Sequence, residues 1–115
     1  MFRYTTPTIT FTIKDDFDMT QASDVYLTFT DSNGNIQFTK QLSEEELTVT
    51  AHTVAVRLTQ AESASIPGGT FRAQLNWLYN DNDTVLRDCS DIVEEIMEDN
   101  LLPIELPEEP EETVD

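Results

Sequence analysis

Cys89 and His52 are the only cysteine and the only histidine in the chain. A cysteine nucleophile needs an imidazole within reach and a third group to orient it. Nothing in the sequence brings residues 52 and 89 together. Cys89 lies in the alternating stretch TVLRDCS and is expected as a small core filler, whereas His52 falls in a short turn and is expected in solvent. Structural zinc takes four Cys or His ligands, which one of each does not supply. Carboxylates are abundant, so calcium is the next candidate, and Asn80-Asp81-Asn82-Asp83 gathers four oxygen-bearing side chains. A calcium loop also needs a glycine at its sharp bend and a bidentate glutamate at its end. Neither is in place, and a plain hairpin turn is expected. With 23 acids in the chain, two carboxylates facing one another would arise by chance, so glycosidase chemistry has no specific signal. Gly68-Gly69 follows Pro67 and precedes a strand, where two glycines form a turn and not a phosphate cradle. No catalytic, cofactor-binding or metal-ligating residue is named, and neither enzyme activity nor a cofactor is expected.

The charge is as informative as the missing chemistry. Net charge is −17 over 115 residues. Residues 1–80 hold nine acids and five bases, while residues 81–115 hold fourteen acids and one base. With no basic patch, binding to nucleic acid or to an anionic membrane surface is not expected. An acidic stretch serves solubility, docks on a basic partner, or imitates a phosphate backbone. One cysteine excludes an internal disulfide and suits assembly in a reducing cytosol. The opening MFRYTTPTITFTI interleaves its apolar residues with threonine, so neither a signal peptide nor a membrane span is expected.

The elements that would position any site are strands. In TFRAQLNWLYN, residues 70–80, Phe71, Ala73, Leu75, Trp77 and Tyr79 take one face, and Arg72, Gln74 and Asn76 fall between them. This period of two marks a half-buried strand. The same pattern recurs at Ile9, Phe11 and Ile13, at Val25, Leu27 and Phe29, at Ile36 and Phe38, and at Val54, Val56 and Leu58. Asn33-Gly34 between alternating runs predicts an antiparallel hairpin over 25–40. KDDFDMTQASD reads as a polar connection that Phe17 and Met19 anchor to the core. Gln60–Ser65 offers one helical turn, broken by Pro67-Gly68-Gly69. Thr84–Ser90 pairs back on the long strand and brings Val85 inward. Residues 92–102 fit both periods and are read as a strand, since an acidic helix would have little to pack on. Pro103, Pro107 and Pro110 leave 103–115 extended and exposed. The fold class is all-β: a single antiparallel β-sandwich, Ig-like, with seven to eight strands over residues 1–102 and an acidic tail over 103–115.

The succession TTPTITFTI (5–13), DVYLTFTDSNGNIQFTK (24–40), VAVRLTQAES (54–63), PGGTFRAQLNWLY (67–79) and VLRDCSDI (85–92) resembles short β-sandwich proteins encoded among tail genes of phages and prophages of Gram-positive bacteria. It is similar to the N-terminal domain of the phage baseplate upper protein. The resemblance covers most of residues 5–92 and rests on strand and turn patterns. It implies a non-enzymatic structural protein of the virion, assembled in the host cytoplasm. Such a subunit of the tail, baseplate or neck docks in several copies to other virion structural proteins. Larger baseplate proteins continue into a receptor-binding domain that has no counterpart here, so a direct role in host recognition is not expected. Two other functions are open to the residues: an acidic phage-encoded inhibitor that mimics DNA, and a carbohydrate-binding module using Tyr26 or Tyr79.

Overall fold

The computed structural model describes residues 1–14 and 16–107. The chain is mostly β, in two antiparallel sheets. The smaller holds β1 (Thr8–Thr12), β5 (Thr53–Arg57) and β4 (Thr48–Val49), in the order β1-β5-β4. The larger has five strands. β3 (Ile36–Gln41), β2 (Asp24–Asp31), β6 (Gly69–Asp81) and β7 (Thr84–Cys89) lie side by side, and β8 (Val93–Met97) also pairs with β6. The strand expected within 92–102 is therefore present as β8.

β6 organises the molecule. One side of it pairs with β2 from Phe71 to Leu78. Its other side is shared: the C-terminal half takes β7 and the N-terminal half takes β8. The inward residues are those the alternation selects. Phe71, Ala73, Leu75 and Trp77 are buried, as are Val25, Leu27 and Phe29 of β2 and Val54 and Val56 of β5. One buried cluster thus draws on both sheets. Met19 is fully buried and Phe17 lies against Trp77, ring centroids 6.1 Å apart, so the connection between β1 and β2 is anchored as expected.

The helical turn forms as α1 (Gln60–Ser65). The Thr59 hydroxyl accepts from Glu62 N while the Glu62 carboxylate accepts from Thr59 N, a reciprocal cap that satisfies two otherwise free amides. The same Glu62 carboxylate pairs with Lys40. Lys40 stands opposite Leu27 on the inward face of β3 and is buried, a position that period two assigns and hydropathy does not.

Three core expectations are corrected, each by register. Cys89 is exposed. It pairs with Asn76, and paired residues share a face, so it stands on the outer side of the sheet. Val85 pairs with Asn80 on that outer side and is 61% exposed. The two-residue turn at Asn82-Asp83, both at positive φ, sets this register and puts Leu86, not Val85, opposite Tyr79. Ile36 is likewise exposed. Pairing shifts between Phe29 and Thr30, so Phe38 faces Phe29 but Ile36 faces Thr30 on the outer side. The β2–β3 turn also differs from a two-residue Asn-Gly turn. Only Gly34 has positive φ, and the Asp31 carboxylate organises the loop by accepting from Asn33 N and Asn35 N, both at 2.9 Å.

Candidate functional site

His52 sits in the turn between β4 and β5, where its carbonyl accepts from Ile13 N, and its side chain is exposed. Cys89 is on the other sheet, and no hydrogen bond joins the two among the described residues. Asn80–Asp83 is a hairpin turn, and among the described residues no group of three or more His, Cys, Asp or Glu is placed to hold a metal ion. Tyr79 is half-buried against Phe17, ring centroids 4.9 Å apart. Tyr26 lies half-buried on the outer sheet face between Gln41 and Asn76. Neither tyrosine stands out from the surface as a sugar platform does. No helix among the described residues is long and apolar enough to cross a membrane.

What the fold does expose is an edge. β7 and β8 run in the same direction along one side of β6, end to end. Asn76 pairs with Cys89 and Ala73 with Val93. Gln74 and Leu75 on β6 therefore face three residues, Ser90, Asp91 and Ile92. One extra residue is a bulge, which bends an edge strand and ends its pairing register. Ser90 stitches the bulge to β6. Its hydroxyl accepts from Leu75 N at 3.0 Å, its own N–H donates to the Leu75 carbonyl at 2.9 Å, and its carbonyl accepts from Gln74 Nε2 at 2.8 Å.

The far end of this edge is covered by the chain itself. The N-terminal ammonium donates to the Ile96 carbonyl, Glu98 N donates to the Met1 carbonyl, and Arg3 N donates to the Glu98 carbonyl. Arg3 also pairs with Asp99, and Asn100 Nδ2 donates to the Arg3 carbonyl. Between Thr84 and Glu95 no described strand lies outside the edge. An edge of this kind offers alternate backbone N–H and C=O groups to an incoming strand.

The side chains along it are unusual for a solvated rim. Val85, Leu86, Ile92, Val93 and Ile96 are all exposed, and they are interspersed with Asp88, Asp91, Glu94 and Glu95. Apolar exposure continues through Leu101, Leu102, Ile104 and Leu106. Residues 103–107 are in no helix or strand, as expected for the tail, yet they are tethered. The Gln60 amide accepts from Leu106 N at 2.7 Å and donates to the Leu106 carbonyl at 2.9 Å. The rest of the expected tail, 108–115, lies outside the described residues.

Beside the edge is a groove of about 450 Å³ between the two sheets, walled by Phe11–Lys14 at the end of β1 and by Cys89, Ser90, Asp91 and Val93. β1 is itself an outer strand of its sheet, so two sheet edges flank the groove. Leu75 and Trp77 line it. Trp77 is buried, and its indole N–H has no acceptor among the described residues. Comparison of the chain with protein-family models, with curated proteins and with solved structures finds no match. Strands over 84–90 and within 92–102 were expected; that they form one exposed edge follows from register and the bulge, which alternation does not encode.

Proposed function

We propose that this chain is a non-enzymatic assembly subunit that works by protein–protein contact, and that it is a structural component of a phage particle, in its tail, baseplate or neck. One observation carries the contact role: the open β7–β8 edge, where exposed aliphatic side chains flank unpaired backbone. The bulge, the carboxylates and the N-terminal segment blunt this edge in part, yet they leave the aliphatic side chains of β7 and β8 in solvent, and an assembling subunit uses such a surface. In a symmetric particle the edge meets a neighbour in every repeat. The two sheets, sharing one buried cluster, are read as the layers of an Ig-like sandwich. The assignment to a virion rests on the resemblance of the strand succession to phage tail-region proteins.

Phosphate mimicry fits less well. A DNA mimic presents ordered charge, and here the four exposed acids between Val85 and Ile96 are interrupted by five exposed aliphatic side chains. The test is composition of purified particles. The chain is expected in them at fixed stoichiometry by quantitative mass spectrometry. Its absence from particles while infected cells contain it in quantity overturns the role.

A further inference from the structure

The structure assigns an occupant to the groove between β1 and the β7–β8 edge: one extended segment of a partner protein in which aliphatic residues alternate with Lys or Arg. This deepens the contact role proposed above and rests on it.

The groove wants an apolar strand with basic flanks for two reasons. Its lining includes Phe11, Ile13, Leu75, Trp77 and Val93, which favours aliphatic side chains on the inward side of the segment. Its large-sheet rim is acidic. Asp88 stands opposite Trp77 and Glu95 opposite Phe71, so both carboxylates lie on the groove side of the sheet, with Asp91 at the bulge between them. All three are exposed, and the nearest base of that strand, Arg87, stands on the outer face and donates to Asn76. Basic side chains of the segment belong on this rim; Lys14, on the β1 wall, keeps them from the other.

The same charges exclude the two occupants closest to hand. A second copy pairing edge to edge would set Asp88, Asp91 and Glu95 against their own kind, and like charges directly opposite are destabilising. The chain's own C-terminal segment, with Glu105, Glu108 and Glu109, meets the same repulsion.

The test uses the full chain and a short synthetic peptide of alternating Val and Lys, with its Val–Glu counterpart as control, read by the emission of Trp77, the only tryptophan. Saturable binding of the Val–Lys peptide is expected, with no binding of the Val–Glu peptide. Charge reversal at the exposed rim (Asp88→Lys, Asp91→Lys, Glu95→Lys) is expected to weaken binding by roughly tenfold or more. Circular dichroism of the variant shows that it folds, and Phe11→Ala provides a second variant, in the apolar wall. Equal binding of both peptides, binding unchanged by rim reversal, or a concentration-dependent dimer of the unaltered chain by ultracentrifugation overturns the assignment. Particle composition separates the two readings. Rim-reversed chain entering particles as well as the unaltered chain overturns the groove and leaves the contact role, whereas an unaltered chain missing from particles overturns that role.

Discussion

Trp77 and Lys40 show how much a single inward position decides. Trp77 is 1% exposed, lies against Phe17 and lines the groove. Trp77→Ala is expected to cost about 3–5 kcal/mol, because a truncated core aromatic leaves a cavity that its neighbours fill only in part. Urea unfolding checks this, and a loss under about 1 kcal/mol would mean that the ring contributes little packing. Lys40 poses a different problem, since a buried ammonium is tolerated only when paired. Its close partner is Glu62, with Glu46 at 3.9 Å. Removing the acid leaves the charge inside and also opens the cap of α1. Removing the lysine leaves Glu62 partly in water. Glu62→Ala is therefore expected to destabilise by about 1–3 kcal/mol, and Lys40→Met by less. Paired urea titrations decide it, and the reverse order would show that Lys40 is held chiefly by its apolar stem.

Elements are where the sequence was most legible and also where it misled. Period two located every long strand, because burying one face of a sheet constrains every second residue. Lys40 was missed as an inward residue because it is charged, although it lies two residues beyond Phe38 on the same face. Period two could not set the phase of β7 or of the start of β3, because phase is decided by turn geometry and bulges, which depend on single φ angles at Asn82, Asp83 and Gly34. Cys89, Val85 and Ile36 were misplaced for that reason. The groove was not legible at all, since it arises from two edges far apart in sequence. Two elements make direct tests. At the bulge, Ser90→Ala removes the hydroxyl that accepts from Leu75 N, and an amide left unpaired there is expected to cost about 1–3 kcal/mol. Faster hydrogen exchange confined to Leu75 and its neighbours is the accompanying sign. At the β2–β3 turn, the Asn35 side chain, helped by backbone amides of residues 35, 33 and 34, holds the Asp31 carboxyl below the ordinary 3.8. A depressed folded value stabilises the turn above the unfolded pKa, and that contribution is lost as pH falls through the folded value. The Asn33 and Asn35 amide resonances are thus expected to titrate together with a midpoint below 3.8, and a midpoint at or above it would show that the carboxylate is not holding the loop.

Across the whole molecule the governing quantity is the uneven charge. Folding packs the acidic edge of residues 81–99 against a body that is itself net acidic, whereas the unfolded chain spreads its charge over a larger volume. Repulsion is then larger in the folded state, and a high net charge of one sign works against compactness. Opposing this are two ion pairs at the same end, Arg72 with Glu94 at 3.3 Å and Arg3 with Asp99 at 3.7 Å. Both acids are well exposed, and pairs of that kind contribute only about 0–1 kcal/mol each. Two weak attractions do not outweigh a crowded acidic edge, so the sign is set by repulsion. Sodium chloride, which shortens the reach of exposed charges to about 8 Å at physiological ionic strength, is expected to raise the melting temperature relative to low salt. Neutralising the rim with Asp88→Asn, Asp91→Asn and Glu95→Gln is expected to raise it at low salt and to flatten its salt dependence. A melting temperature that falls as salt is added would mean that the ion pairs dominate, and the acidic edge would then be an asset to the isolated fold instead of a feature kept for a basic neighbour.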